Sequence, residues 1–132
     1  MIFGIGTDIV RVERMKRSLE RFGDRFAKRL LTESELRDFA ANSSPAHFMA
    51  KRFAAKEAAA KAMGIGFRDG LSLRHIGVGH DELGKPQLEF NGYAASFVEE
   101  HGINAVHVSL ADEAEYAVAF VTLSSEVSPS GD

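Results

Sequence analysis

The sequence predicts an α+β domain, on three observations. Apolar residues alternate with period two near both ends, at 2–10 and 105–111. Helical spacing fills much of the interval, at 12–22 and 45–63. A turn, Asp81-Glu82-Leu83-Gly84-Lys85-Pro86, separates two short apolar runs as in a hairpin. The 132 residues suit one domain with a real core, and 45% hydrophobic with 27% charged residues excludes a globally disordered chain.

In the first strand Phe3, Ile5, Thr7 and Ile9 share one face, and Gly4, Gly6, Asp8 and Val10 the other. Glycines in a strand mark close approach by a ligand or another backbone. Asp8 on that bared face calls for a cation, a metal or N–H donors, unless it caps the next helix. Val12, Met15, Leu19 and Phe22 have helix spacing with a stop at Gly23, and Arg14, Arg17 and Arg21 form a basic ridge opposite them that Arg25 and Arg29 extend. Thr32-Glu33-Ser34-Glu35 has the form of a capping box opening a short helix, with Leu36 and Phe39 inward. Ser44 and Pro45 start a helix that runs to Met63 and stops at Gly64. Its face carrying Phe53, Glu57 and Lys61 is either a solvated surface with a Glu-to-Lys pair or part of a site. The 64–70 loop is rich in glycine, a weak phosphate-binding signal. Strands are expected at 73–78, 87–90 and 116–123, a helix at 93–101 after Asn91, and a loose tail at 124–132.

There is no cysteine, which excludes disulfides, thiolate metal sites and a cysteine nucleophile. No run approaches the roughly 18 apolar residues of a membrane span, and the first residues lack a signal-peptide pattern, so a cytoplasmic protein is expected. The net charge of −3 conceals an asymmetry: all sixteen Lys and Arg lie in 1–85, a balance of +5 there, whereas 86–132 carries eight acids and neither Lys nor Arg. Such a concentration points to an anionic partner for the N-terminal half. Asp8 and Glu57 are hard oxygen ligands; two carboxylates with phosphate oxygens and waters form a usual magnesium set. Lys61, one turn beyond Glu57, suits a phosphate on the same metal, and Arg52 and Lys56 extend a phosphate-handling surface. His107 beside Ser109 suits a further phosphate or a structural role; His47, His75, His80 and His101 lack ligand spacing.

Four segments together resemble one family: Gly4-Ile5-Gly6-Thr7-Asp8-Ile9-Val10, Arg52-Phe53-Ala54-Ala55-Lys56-Glu57-Ala58 with Lys61, Gly84-Lys85-Pro86, and His107-Val108-Ser109. They look like the holo-[acyl-carrier-protein] synthases, the small class of 4'-phosphopantetheinyl transferases, over 1–123. The resemblance implies a single α+β domain, an antiparallel sheet packed with helices, assembled as a homotrimer with active sites between subunits. It implies magnesium-dependent transfer of 4'-phosphopantetheine from coenzyme A to a serine of an acidic acyl carrier protein in fatty acid biosynthesis. The matched positions imply Asp8 and Glu57 as metal ligands, and Asp8, Glu57 and Lys61 as the catalytic group. Glu57 would accept the serine proton, directly or through a water. Arg52, Lys61, Gly84, Lys85, Pro86, His107 and Ser109 would hold coenzyme A, and Arg14, Arg17 and Arg21 would dock the carrier. Asp112 stands where the family often has a Thr-His pair just beyond Ser109. No membrane or nucleic-acid partner is expected. Two rival readings of the residues are a non-catalytic coenzyme A or nucleotide-binding module and a nucleic-acid-binding oligomer. The lack of Trp, the two Tyr and the acidity count against the second.

Overall fold

The computed structural model describes residues 1–67 and 70–127. Strand β1 (Ile2–Arg11) is followed by helices α1 (Val12–Phe22), α2 (Asp24–Leu30), α3 (Glu33–Ala40) and α4 (Pro45–Met63). Strands β2 (Ile76–His80) and β3 (Pro86–Phe90), helix α5 (Gly92–Glu100), and strands β4 (Ala105–Asp112) and β5 (Tyr116–Ser124) complete it. An antiparallel sheet runs in the order β1-β5-β4, and β2–β3 form a separate antiparallel hairpin.

Helix α4 lies across the inner face of the three-stranded sheet. Ala54, Ala55, Ala58, Ala59 and Ala62 are buried on the helix, and Ala117, Ala119, Val121 and Leu123 on β5. The strand glycines explain how close the layers come. A Cβ added at Gly6 would lie 1.9 Å from the Ala58 carbonyl oxygen, and one at Gly4 1.8 Å from that of Ala62. The close approach foreseen from these glycines is therefore by the backbone of α4. Proline at the first turn and Gly64 in the left-handed conformation (φ 81°) bound α4 where expected.

The outer face of the sheet is apolar and uncovered by this chain. Ile5, Ile9, Val118 and Phe120 stand 53%, 62%, 37% and 45% exposed. The register aligns Thr7, Phe120 and Ser109 in one row across this face, and Ile5, Thr122 and His107 in the next.

Some local expectations need correction. Residues 73–75 form a 3-10 turn rather than strand, because Ser72 caps it: its hydroxyl accepts from Arg74 N at 3.2 Å, and its N–H donates to His75 Nδ1 at 3.0 Å. Helix α2 was not expected at all. The tail expected from residue 124 is fastened further along: Ser124 pairs in β5, Ser125 N donates to the Met1 carbonyl (2.8 Å), and Glu126 N to Asn104 Oδ1 (2.7 Å). Residues 128–132 of that tail, and Arg68 and Asp69 of the glycine-rich loop, lie outside the described residues.

Candidate active site

Two elements bring the first group of residues together. Asp8 follows Gly6 on the inner face of β1, and Glu57 and Lys61 sit one turn apart on the open side of α4. Since Gly6 rests on Ala58 and Gly4 on Ala62, backbone contact places the Asp8 end of β1 against the Glu57–Lys61 turn. Lys61 Nζ donates to Asp8 Oδ1 at 2.9 Å and to the Thr7 carbonyl oxygen at 3.0 Å. The Glu57–Lys61 pair suggested by helix spacing is not made; the lysine reaches across to the strand instead. Among the described residues Glu57 has no ion pair within 4.0 Å. Burial pushes its carboxyl above the usual carboxylate range, and the neighbouring charge of Asp8 pushes the same way against Lys61 and Arg14.

These residues fit a small hard cation. Two carboxylates that disfavour each other's charge, on a half-open surface, offer oxygen donors and gain from an added positive charge. No cluster of three or more His, Cys, Asp or Glu suited to a metal occurs among the described residues, so a cation held by these two carboxylates would need substrate oxygens or water to complete its shell.

The neighbouring basic residues of α4 do not join this surface as expected. Lys56 is fully buried: Nζ donates to Glu35 Oε1 (2.6 Å), to the Leu73 carbonyl (3.1 Å) and to the Ile76 carbonyl. One residue on a helix is a rotation of about 100°, which turns Lys56 away from Glu57 and into the core. Glu35 closes the capping box with Thr32, accepts from Val78 N (3.0 Å), and lies 3.6 Å from Arg52 Nε. The Arg52 guanidinium stacks over Phe48 at 4.4 Å and lies 3.8 Å from Asp38. Glu35 was read from sequence only as a cap; its burial against Lys56 went unseen.

Arg52 and Pro86 do meet, at an open hollow of about 750 Å³ that His80, Lys51 and Asp112 also line. Gly84 takes φ 85° in the turn, where Asp81 Oδ1 accepts from Leu83 N and Lys85 N, both at 2.9 Å. His107 and Ser109 are exposed on the outer face of the sheet, the side away from Asp8 and Glu57. This chain alone does not bring them to the carboxylates. Arg14, Arg17 and Arg21 are exposed along α1. The Arg14 guanidinium lies 5.2 Å over Phe53, on the α4 face that carries Glu57, while Arg17 pairs with Glu13 at 3.2 Å and Arg21 lies 5.1 Å over Phe22. No helix among the described residues is long and apolar enough to cross a membrane.

The chain that carries this strand, this helix and their charged side chains is similar along nearly its whole length to one class of enzyme. The family described as the 4'-phosphopantetheinyl transferase superfamily matches residues 4–121, and the chain belongs to it. Within it, the chain is an enzyme of the holo-[acyl-carrier-protein] synthase kind. It is 57% identical over 126 residues to the holo-[acyl-carrier-protein] synthase of Nitrosococcus oceani, covering 96% of this chain and 82% of that one. A crystal structure of the Neisseria meningitidis synthase superposes with a TM-score of 0.89 at 48% identity, over 94% of this chain and 99% of that one. A Bacillus anthracis synthase in complex with CoA (3',5'-ADP) gives 0.79 at 38% identity, over 96% and 99%.

Proposed function

We propose that the chain transfers the 4'-phosphopantetheine group of coenzyme A to a serine of an apo acyl carrier protein, with magnesium, releasing adenosine 3',5'-bisphosphate and yielding the holo carrier used in fatty acid biosynthesis. The observation that carries this reading is the convergence of Asp8, Glu57 and Lys61 where β1 crosses α4, in a chain whose relatives are named for the activity. The serine oxygen bonds to the pantetheine-side phosphorus as the bond from that phosphorus to the bisphosphate breaks. Glu57 takes the serine proton, directly or through a water. Lys61, more than half exposed on a flexible stem, meets the pyrophosphate and stabilises charge on the leaving phosphate. Asp8 and Glu57 hold the magnesium, which supplies charge neutralisation to the pyrophosphate. The expectation of a cytoplasmic enzyme goes with this reading.

Coenzyme A is held by Arg52, Lys61, Gly84, Lys85, Pro86, His107 and Ser109. Arg52 and Pro86 share a hollow, whereas His107 and Ser109 face outward beside Ile5, Ile9, Val118 and Phe120. A homotrimer with sites between subunits covers that apolar face and gives the two outward residues a site to join. Sedimentation of the purified chain is expected to give three times the mass of one; a single-chain mass removes the assembly from the account.

The ridge of Arg14, Arg17 and Arg21 docks the acidic carrier, with Arg14 and Phe53 bordering the Glu57 face. Reversing all three charges to Glu is expected to raise the carrier KM by about 10- to 100-fold at low salt, with a smaller effect as salt rises. An unchanged KM excludes the ridge. The reading as a whole is tested by mass spectrometry of an apo carrier incubated with the chain, coenzyme A and magnesium. One added phosphopantetheine per carrier is expected, and an unaltered carrier mass ends it.

A further inference from the structure

Asp8 and Glu57 are unequal as places for a metal. Asp8 has a cation in place: the Lys61 ammonium, 2.9 Å from Oδ1 and held by a second bond to the Thr7 carbonyl oxygen at 3.0 Å. Glu57, one turn away on the same helix, has no ion pair within 4.0 Å among the described residues. The Asp8 side chain is 17% exposed, whereas that of Lys61 is 54% exposed. The carboxylate is thus fixed against the helix, while the lysine stem has solvent beside it into which to swing.

Resting on the reading of Asp8 and Glu57 as metal ligands, we propose that Lys61 competes with the divalent cation for Asp8. Its transfer from Asp8 to the substrate pyrophosphate couples the binding of metal to the binding of coenzyme A. An ammonium at 2.9 Å occupies one of the two Asp8 carboxylate oxygens and repels a dication brought beside it. When the pyrophosphate enters, the ammonium gains a polyanionic partner and leaves Asp8 to the metal. The same side chain opposes metal binding when coenzyme A is absent and favours it when coenzyme A is present. By linkage, metal then tightens coenzyme A binding by the factor by which coenzyme A tightens metal binding, and removing the lysine shrinks that factor.

The test is calorimetric titration of the purified protein with manganese, with and without coenzyme A, for the natural chain and for Lys61→Met, Asp8→Asn and Glu57→Gln. Without coenzyme A, Lys61→Met is expected to bind manganese about three- to tenfold more tightly than the natural chain, the range for releasing a half-exposed ion pair and its local repulsion. With coenzyme A that advantage is lost or reversed. Asp8→Asn and Glu57→Gln bind more weakly throughout. Melting without divalent ions separates direct pairing from distant repulsion. Lys61→Met should then melt lower than the natural chain and gain more from added manganese; an equal or higher melting point overturns the proposal. So does equal or weaker manganese binding by Lys61→Met alone, which leaves the ligand reading intact provided the two carboxylate variants still lose affinity. If those variants bind as the natural chain does, the ligand reading falls and takes this proposal with it.

Discussion

Glu57→Gln loses phosphopantetheine transfer, by about 10²- to 10⁴-fold for the removal of a general base, and yet makes the protein more stable when no divalent ion is present. The loss follows because an amide neither takes the serine proton nor adds charge to the cation site. The gain follows from the environment of the carboxyl. Burial, and then the charge of Asp8, raise its pKa in the folded state above the ordinary value. The folded chain therefore binds this proton more tightly than the unfolded chain. At a pH below both values the group is protonated in either state and costs nothing. As pH rises from the ordinary glutamate range, near about 4.3, through the raised folded value, the natural chain loses stability relative to the amide variant, and above that value the whole cost remains. At neutral pH the sign is a lower Tm for the natural chain than for the amide variant. Thermal melts of both proteins in chelator, from about pH 4 to about pH 8, should diverge across that window. A natural chain as stable as the variant at neutral pH contradicts the burial argument, and transfer at the natural rate removes Glu57 from the chemistry.

Lys56→Met should have the largest effect on stability. It removes the 2.6 Å ammonium from Glu35, 1% exposed, leaving Arg52 at 3.6 Å as that carboxylate's one counter-charge within 4.0 Å among the described residues, and strips the Leu73 and Ile76 carbonyls of a donor. Removing one partner of a buried ion pair costs about 3–5 kcal/mol. For a domain of this size that lowers Tm by roughly 10 °C or more. Adding Glu35→Gln should recover part of the loss, since the amide removes the stranded charge and still serves a capping box. Denaturant unfolding of the single and double variants measures both steps. A single variant within about 1 kcal/mol of the natural chain, the ordinary range for a surface pair, would mean that the pair contributes no more than a surface one.

What could be read from the residues, and what could not, divides along distance in the chain. Helix α4 was legible from end to end because Pro45 and Gly64 punctuate it locally, although Ser44 at its N-cap position makes no side-chain cap bond. Asp8 was legible because a period-two glycine pair leads to it, and the Glu57–Lys61 face because of its four-residue spacing. The partner of Lys61 was not, since a helix pair and a bond across 53 residues use the same side chain and only packing selects between them. Lys56 misled for a related reason: composition shows a basic residue beside Glu57, while its inward direction depends on Glu35, 21 positions earlier. Helix α2 was missed because its seven residues follow Gly23 directly and allow barely two turns of pattern. For β4 the alternation was plain, but which face meets a site depends on what covers the sheet.

The contact between the β1 glycines and α4 acts as a ruler. Side chains usually set the gap between a strand and a helix, and a methylene gained or lost in such a layer shifts the gap. Here carbonyl oxygens of the helix rest directly on the strand at Gly4 and Gly6, so the spacing between Asp8 and the Glu57 turn is set by main chain alone. Drift elsewhere in the core can alter the stability of this protein without recalibrating the separation of its two carboxylates.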